Sequence, residues 1–102
     1  MTGRVRVLVY LTAPDGDVSV IEEAYHAISG RLQGTPGLVG NELLRSLSDP
    51  DSFAVISEWE SLDAFRAWEQ GPDHRDVTAP LRPFQSVTMR PAVYEVTAAY
   101  GG

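Results

Sequence analysis

Apolar and polar positions alternate cleanly over residues 4–12. Val5, Val7, Val9 and Leu11 fall on one side of an extended chain, with Arg4, Arg6, Leu8 and Tyr10 on the other. Pro14-Asp15-Gly16 breaks this first strand. The period then changes: Val18, Ile21, Tyr25, Ile28 and Leu32 recur at three- and four-residue steps, behind Ser19 and Glu22 in capping-box spacing. These residues predict a helix capped by Ser19 that runs to about Gln33, with Gly34 as its stop. Pro36-Gly37 turns the chain into a second strand at residues 38–47, and Asp49-Pro50-Asp51 closes a hairpin.

Residues 49–68, DPDSFAVISEWESLDAFRAW, are the most informative stretch. They predict a third strand in which Phe53, Val55, Ser57 and Trp59 share one face and Ala54, Ile56, Glu58 and Glu60 the other. Ser61 follows at once as the cap of a second helix, which Leu62, Phe65 and Trp68 stripe at three-residue steps up to about Gln70. Gly71-Pro72 ends it. Residues 73–81 predict a short helical turn stopped by Pro80 and Pro83. Residues 87–97 supply the last strand, in which Pro91 demands an edge or bulge position.

The order β-α-β-β-α-β is the ferredoxin-like α+β plan, one antiparallel sheet with two helices on one face, and residues 1–102 read as a single domain. Leu8 and Tyr10 oppose the valines, so this sheet is apolar on both sides and its uncovered face needs a partner. A second copy of the chain is the simplest one, and a homodimer is expected.

Composition narrows the chemistry. A hydrophobic content of 43% and a charged content of 22% are those of a globular protein. No apolar run approaches the ~20 residues of a membrane span, and the opening segment reads as a strand without a leader's cleavage site. The expectation is a cytoplasmic protein with no membrane partner. Net charge is −6 and the eight basic residues, all Arg, are scattered, which argues against nucleic acid. The absence of Cys and Lys excludes thiolate nucleophiles, cysteine-held clusters and Schiff-base chemistry. The two histidines, His26 and His74, lack metal-ligand spacing, so no metal site is expected.

The element order, the segment PGLVGNELLRS and the segment WESLDAFRAWEQGPDH together resemble the antibiotic biosynthesis monooxygenase family, over essentially the whole chain. This resemblance implies a dimeric α+β barrel with a ligand pocket between helices and sheet in each subunit. It also implies oxidation of phenols or quinols by O₂ without a cofactor, or, in one branch, haem degradation. Haem-degrading relatives place a histidine nine or ten residues after the helix-two tryptophan, where this chain has Val77 and Thr78, and an asparagine in strand one, which has none here. Quinone-forming relatives close strand three with a tryptophan, matched by Trp59. Their asparagine four residues earlier and their helix-two tyrosine are here Val55 and Phe65.

Candidate site residues follow. Trp59, Phe65 and Trp68 would wall an apolar cavity, and His74, on the loop after helix two, is placed to act as general base near neutral pH. Trp59 and His74 are the expected catalytic residues; Tyr10, Tyr25 and Arg90 join Phe65 and Trp68 as expected substrate-binding residues. His26 is expected to face solvent, Arg45 and Arg90 are the charges expected nearest a pocket, with surface pairing to Glu42 or Glu95 as their other reading, and Glu58 and Glu60 are expected to form a solvated edge. The function that fits is cofactor-independent monooxygenation of a small aromatic or polyketide-type phenol or quinol. The alternatives are a non-catalytic binding or assembly module of the same fold, and a cofactor-free cyclase or isomerase.

Overall fold

A computed structural model describes residues 3–101. Strand β1 (Val5–Thr12) leads through a 3-10 turn at Pro14–Gly16 into helix α1 (Val18–Leu32), then β2 (Leu38–Arg45), β3 (Ser52–Trp59), α2 (Leu62–Glu69), α3 (His74–Thr78), a 3-10 turn at Ala79–Phe84 and β4 (Ala92–Glu95). The strands lie in the order β2-β3-β1-β4, antiparallel throughout. This is the ferredoxin-like α+β fold.

The helices cover the sheet face that the alternation assigned to the core. Val5, Val7 and Leu11 of β1 and Phe53, Val55 and Trp59 of β3 are buried. They divide between two clusters. One packs Leu11, Phe53 and Val55 against Ile21, Ala24, Ile28 and Leu32 of α1, together with Val77 and Leu81; the other packs Val5, Val7 and Trp59 against Phe65 of α2. A cavity opens where the two clusters meet, lined by residues of both.

Two local expectations are corrected, and two further features come from the structure. Helix α1 is capped by Asp17, not Ser19: the Asp17 carboxylate accepts from both the Ser19 N–H, at 3.1 Å, and the Ser19 hydroxyl, at 2.6 Å. Helix α3 ends at Thr78, just ahead of Pro80 as expected, and the chain continues in a 3-10 turn that holds Pro80 in its first turn and Pro83 further on. The last strand is only Ala92–Glu95, because the Ser86 hydroxyl captures the N–H groups of Thr88 and Met89 and Pro91 has none to give. Finally, β2 bulges: Leu38 pairs with Trp59 and Gly40 with Glu58, so Val39 is the extra residue.

Candidate functional site

The junction of β3 and α2 is fixed by its first few residues. The Ser61 hydroxyl accepts from the Ala64 N–H at 3.1 Å, starting α2 directly after β3. The Glu60 N–H donates to the Gly37 carbonyl at 2.8 Å, tying the turn before β2 to the same corner. With no slack in the connection, Phe65 meets the Trp59 ring edge-on, centroids 5.6 Å apart. One turn on, Trp68 meets the His74 ring edge-on, also at 5.6 Å.

Between these aromatics, α1, α3 and the sheet lies a cavity of about 330 Å³. Its body is apolar: Val7, Val9, Val55, Trp59, Phe65 and Trp68. Its polar lining is His74, Thr78, Arg82, Glu69 and Gln85, with Ser57 and Asn41 set among the apolar residues of the sheet. The size suits a fused aromatic of a few rings. His74 is half-buried at the first residue of α3, and Thr78 donates to its carbonyl at 2.7 Å. Trp59 is 2% exposed, and its indole N–H donates to the Ser57 hydroxyl at 2.9 Å.

Of the residues singled out from sequence, the fold brings Trp59, Phe65, Trp68 and His74 together around this cavity. Tyr25 stands just behind its wall: the phenol donates to Asn41 Oδ1 at 2.6 Å, and Asn41 lines the cavity. Two residues fall elsewhere. Tyr10 lies in a depression with Leu8, Leu44 and Met89 on the opposite face of the sheet, because even positions of β1 point away from the helices. Arg90 is exposed in the irregular segment before β4, outside the cavity, where Arg82 supplies the rim cation instead.

The expected surface pairs also differ. Arg45 lies over the Phe53 ring, its guanidinium carbon 5.7 Å from the ring centroid, and donates to the Pro50 carbonyl, not to Glu42. Glu58 is no free edge charge, since Arg4 and Arg6 approach it at 3.6 and 3.3 Å. His26 is exposed as expected. Val77 is buried in the core and Thr78 hydrogen-bonds within α3. No group of three or more metal-ligating side chains occurs among the described residues.

Sequence reading passed over Asn41 and Ser57. Ser57 was on the correct strand face, and its polarity between Val55 and Trp59 was the available signal. Asn41 had none, because strict alternation from Leu38 puts it on the wrong face; the bulge at Val39 turns it inward, opposite Ser57.

A ferredoxin-like sheet with an aromatic-walled cavity under its helices is the α+β architecture of this chain. A family model described as antibiotic biosynthesis monooxygenase matches residues 4–79, and the chain belongs to that family. It is 36% identical over 97 residues to protein SchA of Streptomyces halstedii, a match covering 93% of this chain and 26% of SchA. It is 31% identical over 62 residues to a mycobilin-producing heme oxygenase of Mycobacterium tuberculosis, covering 61% of this chain and 59% of that protein. The chain thus spans about a quarter of the length of one of these relatives, 26%, and 59% of the other. A crystal structure of a mutant of SnoaB, a cofactor-independent oxygenase from Streptomyces nogalater, superposes with a TM-score of 0.78 at 20% identity, over 95% of this chain and 96% of that one. That likeness establishes the shared fold. No helix among the described residues is long and apolar enough to cross a membrane.

Proposed function

We propose that the protein is a cofactor-independent monooxygenase that oxidises a small fused aromatic phenol, quinol or anthrone with O₂, acting as a homodimer. The observation that carries this reading is the cavity of about 330 Å³ walled by Trp59, Phe65 and Trp68 with His74 at its margin. Triplet O₂ reacts slowly with closed-shell molecules, but an electron-rich anion can transfer one electron to it. The protein therefore has to exclude water, remove a proton and stabilise the anion.

For an anthrone-type substrate, neutral His74 takes one methylene proton and the carbanion passes an electron to O₂. The substrate radical and superoxide join through a new C–O bond, and the peroxide takes up a proton. Loss of the second C–H and cleavage of O–O leave a carbonyl and water. One oxygen atom enters the product and the other leaves as water, so no external reductant is needed.

Oxygen uptake on an anthrone or hydroquinone tests this. His74→Ala is expected to lower turnover by ~10²–10⁴-fold, as loss of a general base does, with the fold retained. Unchanged turnover would remove His74 from the mechanism. The absence of any uptake alongside tight ligand binding would favour the non-catalytic module, for which Val55 and Phe65, in place of the asparagine and tyrosine of quinone-forming relatives, are the supporting observation. Ligand conversion without oxygen uptake would favour a cyclase or isomerase.

Haem degradation is the less supported reading. Val77 is 4% exposed and cannot reach iron, and the Thr78 hydroxyl is engaged by the His74 carbonyl. Titration with haemin is expected to give no sharp Soret band at one equivalent; a band lost on His74→Ala would reverse this.

A further inference from the structure

Three hydrogen bonds behind one wall of the cavity share a polarity. Tyr25 and Ser29, one turn apart on α1, both direct their hydroxyls to Asn41 Oδ1, at 2.6 and 3.2 Å. On the neighbouring strand the Trp59 indole N–H donates to Ser57 Oγ at 2.9 Å. Each bond occupies an acceptor and leaves a donor over: the amide NH₂ of Asn41 and the hydroxyl hydrogen of Ser57. Among the described residues neither donor is bonded to a protein acceptor.

Asn41 and Ser57 are register partners across β2 and β3, which places the roots of their side chains about 5 Å apart on the same face. Both line the cavity. No side-chain nitrogen or oxygen among the described residues is both sealed from solvent and unpaired, so the Asn41 amide nitrogen opens into accessible space, and Ser57 lines the same cavity beside it. Their surroundings, Val55, Ile28 and Trp59, are apolar, where a donor acts on developing charge far more strongly than in water.

We infer that Asn41 and Ser57 form a paired donor site for a substrate oxygen that becomes negative on deprotonation, the phenolate or enolate oxygen of a fused aromatic ring. Tyr25 and Ser29 are positioning residues that hold the Asn41 amide with its NH₂ toward the ligand, and the Trp59 indole does the same for the Ser57 hydroxyl. Asn41 reaches the cavity by way of the β2 bulge. The substrate class narrows to arenes with an ionisable or carbonyl oxygen at the end that meets β2 and β3. This inference rests on the cavity being the substrate site.

Two matched probes separate the donor pair from the cavity itself: 2-naphthol, and 2-methylnaphthalene, which replaces the hydroxyl by a methyl group. Both tryptophans of the chain line the cavity, so fluorescence quenching reports binding. The native protein is expected to prefer 2-naphthol and to ionise it at lower pH than water does, because hydrogen bonds to the anion favour it. Ser57→Ala and Asn41→Leu are each expected to weaken 2-naphthol binding about 10-fold, the effect of one lost hydrogen bond in such a site. Binding of 2-methylnaphthalene stays unchanged. Tyr25→Phe removes part of the naphthol preference with no loss of hydrocarbon binding, which a merely structural role would not produce. If the preference survives in both Ser57→Ala and Asn41→Leu while the hydrocarbon still binds, the donor pair is overturned and the cavity assignment stands. If neither probe binds the native protein, both fall. Hydrocarbon binding checks that each variant's cavity is intact, and Ser57→Ala, the smaller change, decides if Asn41→Leu loses both probes.

Discussion

Trp59 does three things at once. It is buried against Phe65, it walls the cavity, and its indole N–H orients Ser57. Those roles separate by substitution. Trp59→Ala removes most of a core aromatic and is expected to cost ~3–5 kcal/mol in chemical denaturation, with ligand binding lost. Trp59→Phe keeps most of the apolar volume but frees Ser57 to rotate. It is expected to be folded, to bind substrate more weakly, and to lose less in rate than His74→Ala in the same oxygen-uptake assay. Equal losses of rate in the two variants would place Trp59 in the chemistry and not only in positioning.

At the scale of elements, the site depends on how β2, β3 and α2 meet. Gly37 has φ of 81° and sits where a Cβ would collide with the Ala64 side chain. Its carbonyl also receives the Glu60 N–H. Gly37→Ala therefore combines backbone strain with a steric clash. We expect a loss of roughly 2 kcal/mol or more by urea unfolding, along with weaker ligand binding as α2 shifts outward. Ala at Gly34, which has φ of 82° but open space around it, is expected to show the strain alone. Removing the α2 cap by Ser61→Ala is expected to cost ~1 kcal/mol in the same measurement, through the Ala64 N–H left without its partner.

At the scale of the whole molecule, the helices occupy one side of the sheet only. The other face carries Leu8, Tyr10, Ala54, Ile56 and Leu44, with Leu44 42% exposed. An apolar sheet face of this kind is the reason to expect a homodimer built sheet to sheet. Light scattering is expected to give twice the chain mass of 11.1 kDa at micromolar concentration. Ile56→Glu, which puts a charge at the middle of that face opposite Leu8, is expected to yield monomer while leaving the cavity side folded. A native protein that scatters as a monomer would refute the dimer.

The sequence by itself determined the periodic features. Alternation in β1 and β3, the helical stripe of α1 and the Ser61 cap are local consequences of which residues are apolar and how far apart they stand, so element order and the buried face were legible from them. The same short-range logic placed Trp59, Phe65, Trp68 and His74 in one neighbourhood, because α2 follows β3 without slack and only four residues separate α2 from α3. What tertiary structure decided depends on contacts distant in sequence. Tyr10 falls on the far side of the sheet from the cavity once the helices choose their face. Asn41 enters the cavity only because a bulge, visible as a register shift against β3 and not as a residue type, reverses the alternation of β2. Its amide is oriented by Tyr25 and Ser29, which stand 16 and 12 residues away in the chain. Spacing along the sequence fixes a side chain's face within one element; its hydrogen-bond polarity is fixed by the neighbours that folding brings to it.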